Sequence, residues 1–458
     1  MQLKGGAKMK KKMLSLLMAL VMVTALFAAC GQKEGSKPGT TDNTTGTENN
    51  QTKPEDNTAT TTEKQKVVFW YNHTGDEAAR FEELIKSYNE SQDKYVVEGL
   101  SVTDKQKVVV SISGNESPDV IEGSNQDVIT YAMNGLVESI SDMADAESYS
   151  LSDIHSRLAL EANTVDGKMY GMPYASMIIQ MFYNKDILQE IGYTEPPKTM
   201  DELYEMAVKA TQVDESGTIT RLGYPLFPLA SARQELIYAF GGRWWSEDGL
   251  TLTPDNPAIL DSLNMNVKFR SLYGIEKVQE FVATANTNRY TENDMFFAGK
   301  QLFRFDGTWL AAMIKNFNSD VNYGVALIPG TQANPELAGT SRFETNSLCI
   351  PVVAAQKEGA WDFVKYASNS QATKDLLIGM ANLPSQTALY EDADILAQPN
   401  FDIFIDALKK ENGIMYAKVE DLSNYTAMIN EYLDYVYNGM KTPEVAMKEL
   451  AEQAKLLK

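Results

Sequence analysis

Val67-Val68-Phe69-Trp70 is a short continuous apolar run, the pattern of a buried strand, and the residues behind it change period. Ala78, Phe81, Leu84, Ile85 and Tyr88 recur at intervals of three and four, which draws one apolar stripe along a helix ending near Asn89. Tyr95-Val96-Val97 reads as a second strand. Ser113-Gly114 and Pro118-Asp119 are turn signals that feed a third strand at Val120-Ile121, and a helix over about 125–134 follows that Gly135 can stop. Asp119, a carboxylate beside a proline in a tight turn, is expected to bond nearby backbone amides. The alternation of strand and helix predicts a parallel α/β sheet.

Farther along, Asp166-Gly167 signals a hairpin, and Met177 to Tyr183 is apolar and extended. Asn184-Lys185-Asp186 turns into a short helix that breaks near Gly192. Thr199 with Glu202 three residues on forms a capping-box pattern. Open parallel sheets bind ligands beyond the carboxyl ends of their strands. That rule selects Trp70, Asn72 and His73 after the first strand, and Glu122 and Ser124 after the third. Core packing is the competing role for Trp70. His155, in Ser152-Asp153-Ile154-His155, reads as a surface helix residue.

The N-terminal pattern is different. Lys8, Lys10, Lys11 and Lys12 precede an apolar run from Met13 to Ala29, the organisation of a secretory signal over residues 1–29, with Met9 as a second candidate start. At about 1.5 Å per residue this run spans about 25 Å, short of the roughly 30 Å hydrocarbon core. Ala28-Ala29-Cys30 resembles the lipobox of bacterial lipoproteins, in which the cysteine is lipidated, and Phe27 departs from the usual leucine. From Gly31 to Lys66 there is no Val, Ile, Leu, Met or aromatic residue, so residues 30–65 read as a disordered polar linker. Such a coil has an end-to-end distance on the order of 30 Å.

Charge and composition narrow the class. The formal charge of −21 becomes −26 when the five lysines of residues 1–29 are removed, which argues against a nucleic-acid partner. The remainder is long enough for two ordinary domains. Cys349 lies in the apolar run Leu348-Cys349-Ile350 and is expected as a buried free thiol unpaired with Cys30.

Pro118-Asp119-Val120, Asp166-Gly167-Lys168-Met169-Tyr170-Gly171-Met172-Pro173, Phe182-Tyr183-Asn184-Lys185-Asp186 and Pro196-Pro197-Lys198-Thr199 occur in an informative order. With Phe297-Ala298-Gly299-Lys300, Asp306-Gly307-Thr308-Trp309, the run Val321 to Gly330 and Ala360-Trp361-Asp362-Phe363-Val364, the chain from Val67 onward resembles the extracellular solute-binding proteins (family 1) of ABC-type carbohydrate importers, maltose-binding-protein-like. The resemblance implies two α/β lobes, each a mainly parallel sheet flanked by helices, joined by hinge strands that the chain crosses three times. The crossings fall near Tyr174, Thr345 and Leu383. Lobe 1 is then 66–174 plus 346–382, and lobe 2 is 175–345 plus 383–458. Further implications are a carbohydrate ligand, a membrane permease as partner, no cofactor, a monomer, and a place on the extracellular face of the cell membrane.

Sugar sites need aromatic faces and planar polar groups. Trp309 matches the family's Gly-x-Trp loop, whose tryptophan stacks on ligand in several members. Arg304 and Asp306 flank it in a strand and are either a structural pair or one cleft group and one solvent group. Trp244 and Trp245 follow Gly241-Gly242 and serve either the cleft or the core. Arg342 and Glu344 stand at the implied hinge, where glycine or small residues are common, as a polar clamp or a solvated loop. Phe227, between Pro225 and Pro228, and Tyr174, at the first crossing, complete the candidates. An enzymatic role as a glycosidase or lyase lacks signals: no Gly-x-Ser-x-Gly elbow occurs, and His73 and His155 are isolated. A receptor for polyamine, ferric iron or peptide is the other alternative.

Overall fold

The computed structural model describes residues 64–114, 116–225 and 231–457, without the side chains of residues 231 and 232. The signal segment, Cys30 and Phe227 lie outside the described residues. In chain order the strands are β1 (Gln65–Tyr71), β2 (Tyr95–Ser101), β3 (Val120–Ser124), β4 (Thr164–Val165), β5 (Lys168–Met169), β6 (Met172–Ile178), β7 (Gln180–Asn184), β8 (Gln212–Val213), β9 (Ile219–Arg221), β10 (Phe303–Asp306), β11 (Tyr323–Ala326), β12 (Phe343–Cys349) and β13 (Leu383–Pro384).

The larger sheet has the order β13-β6-β12-β3-β1-β2, with β1 parallel to both β2 and β3. The helix Gly75–Ser91 connects β1 to β2 and buries Phe81, Leu84, Ile85 and Tyr88, the stripe that its spacing predicts. Along β1, Val67, Phe69 and Tyr71 are buried, whereas Val68 and Trp70 on the other face are only partly covered. Asp119 is structural as expected, its carboxylate accepting from the amides of Val68 at 2.9 Å and Gln356 at 2.8 Å. The predicted hairpin forms between β4 and β5, with both turn residues at positive φ, Asp166 at 49° and Gly167 at 78°. Thr199 caps the helix Met200–Ala210, but Glu202 accepts from the amide of Lys198 at 2.6 Å, so only half of the expected box is present.

A second sheet has the order β10-β7-β11, and its strands run antiparallel, unlike the parallel run expected for both lobes. Each of its strands arrives from a separate passage of the chain. The two sheets are connected by β6, which continues into β7 after Ile179, and β12 and β13 pair with β6 on either side. Ser176 stands opposite both Thr345 and Leu383. A register shift between Asn346 and Ser347 leaves Tyr174 as an extra residue in β6, a bulge that re-aims its side chain.

Separate apolar groups cover these sheets. Phe69, Val120, Leu348 and Phe363 belong to one; Met181, Leu203, Phe269 and Phe305 to another. The helix Arg157–Glu161 precedes β6 in sequence, yet Leu158 and Ala159 pack with Phe182 and Phe404. Cys349 is a buried free thiol, and burial pushes its pKa up. His155 corrects the surface expectation: it is 2% exposed, its Nδ1 lies 3.1 Å from Ser385 Oγ, and burial lowers its pKa to about 3. The partner is 230 residues away, which no local pattern could reveal.

Candidate functional site

The polar row of β12 organises the site. Arg342, just before β12, and Glu344 and Asn346 within it alternate with the buried Phe343 and Thr345, so the three share one face. Arg342 is held at both ends. Its amide donates to a carboxylate oxygen of Glu235 at 2.9 Å, and its Nε lies 3.0 Å from Glu344 Oε1, with the N–H turned off the line of a good hydrogen bond. Tyr416 donates its hydroxyl to Glu344, and the Arg342 guanidinium lies 5.8 Å from the Tyr416 ring centroid. Glu235 is fully buried with Oε1 unpartnered; burial raises its pKa to about 8 against the pull of Arg342.

Arg342, Glu344 and Tyr416 line a cavity of about 280 Å³ together with Met177, Ile179 and Trp309. Trp309 opens the helix Trp309–Asn316 directly after β10. The Gly307 of its motif has a steric reason: a Cβ there would stand 2.1 Å from the indole. The lining of the cavity therefore combines an indole with an ion pair and a phenol.

At the other end of the row, Asn346 stands opposite Ala175, and the neighbouring Tyr174 donates its hydroxyl to Glu122 Oε1 at 3.3 Å. Glu122 accepts from the amide of Asn72 at 3.1 Å. His73 places Nε2 3.6 Å from Glu122 and Nδ1 2.8 Å from Glu77, and stacks on Phe81 with ring centroids 5.2 Å apart. These groups lie at the carboxyl ends of β1 and β3, where the parallel-sheet rule places a ligand crevice. Tyr174 is itself 1% exposed and stands behind Glu122, and only the backbone of Asn72 enters the group.

Burial lowers the proton affinity of His73, but hydrogen bonds and charge attraction from Glu122 and Glu77 overcome it and raise the pKa from 6.5 to about 9. A raised folded pKa contributes stability that is fully present below about pH 6.5 and is lost as pH rises through about 9. Melting temperatures scanned from pH 6 to 9.5 should therefore decline less steeply for His73→Gln than for the parent. Parallel curves would show that the imidazolium contributes nothing.

Several candidates have other roles. Ser124 caps the helix Asn125–Met133, its Oγ accepting from the Asp127 amide and donating to the Asp127 carboxylate. Trp70 packs beside Val102, Val108 and Ile121, with the Lys107 ammonium 5.3 Å from its ring. Trp244 is 0% exposed within the core of the C-terminal helices, and its carbonyl accepts from Tyr425 at 2.8 Å. Trp245 donates its indole N–H to Met415 O at 2.9 Å and borders a different cavity, of about 390 Å³, with Arg157, Glu161 and Asp248.

Asp306 is a structural partner rather than a cleft group. It lies two residues from Arg304 in β10, and period two puts both on one face, so a division between cleft and solvent was not available to them. Both are buried, with Arg304 Nε donating to Asp306 at 2.8 Å and Nη1 to Asp294 at 2.8 Å. Tyr416, Asn346 and Glu235 belong to the site but are not among the residues that the sequence pattern selects. Only Glu235 carried a local signal, an acid directly before Leu236-Ile237-Tyr238-Ala239.

The match to known proteins now has a geometry behind it. The profile of the bacterial extracellular solute-binding protein family matches residues 83–403. The chain belongs to that family. A maltotriose-binding protein of Pyrococcus abyssi (strain GE5 / Orsay) is 24% identical over 345 residues, 73% of this chain and 69% of the relative. Among solved structures, CpMnBP1 with mannotriose bound has a TM-score of 0.72 at 23% identity, covering 85% of this chain and 100% of that one. The sugar-binding protein MalE of Xanthomonas citri has a TM-score of 0.71 at 19% identity, with 85% and 96% covered. The chain accordingly has the two-lobed α/β fold of these solute-binding proteins.

Proposed function

We propose that this solute-binding protein captures a sugar of the oligosaccharide class between its lobes and delivers it to the permease of an ABC importer. The observation that carries this reading is the cavity that Trp309 lines together with Arg342, Glu344 and Tyr416. An apolar aromatic face suits the C–H face of a sugar ring, and charged planar groups beside it suit vicinal hydroxyls. Names of the relatives support the ligand class: maltotriose in one and mannotriose in another.

The proposed lobes are 66–174 plus 346–382 and 175–345 plus 383–458, with the helix Arg157–Glu161 packing on the second side. Support comes from β6, β12 and β13 lying side by side at Ser176, Thr345 and Leu383. His73 and Glu122 would close on the solute from lobe 1, and Trp309, Arg342, Glu344 and Tyr416 from lobe 2 and the hinge. Solute drives closure only by binding the closed arrangement more tightly. The protein acts as a monomer and performs no chemistry on its cargo. Lipidation at Cys30 would hold it at the extracellular face of the membrane, and the polar linker would leave both lobes free to move. Replacing Cys30 by Ser should release the protein into the medium; continued retention would remove the anchor from this scheme.

A thermal-shift panel of maltotriose, mannotriose and other oligosaccharides on the mature protein tests the capture itself. A bound sugar at 100 times its Kd should add about 2.7 kcal/mol of stability and be recovered intact. Release of cleaved product would mean an enzyme. A shift with polyamine, ferric iron or peptide, and none with sugars, would mean a different cargo.

A further inference from the structure

We infer that Tyr290, which does not line the cavity, is a positioning residue that fixes the Trp309 ring for the solute. This rests on the reading of Trp309 as the ring on which the sugar stacks. The Trp309 indole N–H donates to the Tyr290 hydroxyl at 2.6 Å, and that hydroxyl donates to Asp306 Oδ1 at 2.7 Å. An indole has one donor and no acceptor, so this bond distinguishes the two faces into which the ring could turn.

The acceptor is itself immobilised. Asp306 Oδ1 also accepts from the Gly307 amide at 2.9 Å, and Oδ2 accepts from Arg304 Nε at 2.8 Å. Arg304 binds Asp294, whose Oδ2 accepts the Tyr290 amide at 2.9 Å, while the guanidinium lies 5.0 Å from the Tyr290 ring centroid. One charged group therefore grips Tyr290 by its amide, ring and hydroxyl. Its backbone sits at φ 53°, a left-handed conformation that costs a side-chain-bearing residue on the order of 1 kcal/mol. The bond from its amide to Asp294 holds that conformation, which carries the phenol from one end of the ion-pair group to the indole. Asp306 thus influences the cavity through two intermediaries without touching it.

A double-mutant cycle with Tyr290→Phe and Trp309→Phe separates positioning from general support. Titration calorimetry with mannotriose or maltotriose, whichever binds the parent, should show Tyr290→Phe weakening Kd about tenfold in the parent. In the Trp309→Phe background, where no indole N–H exists to be aligned, the same change should alter Kd less than about twofold. An unchanged Kd for Tyr290→Phe, or an equal loss in both backgrounds, overturns the inference. A second measurement needs neither sugar nor the Tyr290 variant. The Trp309 indole proton, assigned among the five tryptophans by its absence in Trp309→Phe, should be protected from hydrogen exchange in the unliganded protein. Exchange at the rate of free indole would also overturn the inference. If neither sugar binds the parent, the capture reading fails, while the exchange measurement still decides Tyr290.

Discussion

Trp309→Ala is expected to weaken oligosaccharide binding about 100-fold, the largest loss from any single side chain of the site. Aromatic anchors in desolvated pockets commonly account for 2 kcal/mol or more of a binding energy, and each 1.4 kcal/mol is about a factor of ten. Trp309 also packs against the second-sheet core around Phe303 and Phe305, so truncation removes core contacts as well. Trp309→Leu separates the two effects. It retains most of the apolar volume and should restore stability, yet it offers a sugar no flat aromatic face and should leave affinity low. Calorimetric titration with the sugar that binds the parent, beside melting curves without it, checks both. Leucine restoring affinity would mean that the ring acts only as core.

Arg304→Met should destabilise the protein by about 3–5 kcal/mol at pH 7, the usual consequence of removing one partner from a buried ion pair. Arg304 is 2% exposed and serves two carboxylates, Asp294 and Asp306, that are themselves 1% and 0% exposed. Without the guanidinium, two buried carboxylates are left close together with no cation between them. The sign follows from linkage: a repulsion between carboxylates that is present only in the folded state is relieved as they protonate. The deficit relative to the parent should therefore shrink from pH 7 toward pH 4.5 in denaturant titrations. A constant deficit would identify lost packing, not uncompensated charge, as its cause.

Much of the local structure was legible because its rules involve only neighbouring residues. The stripe of Phe81, Leu84, Ile85 and Tyr88, the Asp166-Gly167 turn and the Thr199 cap each need only a few neighbouring residues to be recognised. The meeting of Glu122 and His73 beyond β1 and β3 was likewise foreseeable, since the alternation of strand and helix implies parallel strands. The role the structure shows for Ser124 is also local: with Asp127 three residues on, it caps a helix.

The tryptophans show where local rules end. Trp244 and Trp245 are adjacent and follow the same glycine pair, yet one lies in the helical core and the other borders a cavity. Their environments are set by Tyr425 and Met415, 181 and 170 residues away. The same holds for Arg342, whose meaning depends on Glu235, 107 residues earlier, and for Glu344, whose phenol partner Tyr416 lies 72 residues later.

By itself the sequence determined the first strands and helices, the family and the loop that carries Trp309, because periodicity, turn chemistry and motif order are properties of neighbouring residues. The tertiary structure decided which aromatic ring faces a cavity, that Asp306 is an inner support, and that a bulge turns Tyr174 toward Glu122. Those outcomes depend on strand register and on buried charges finding partners, and both are fixed only when distant segments pack together.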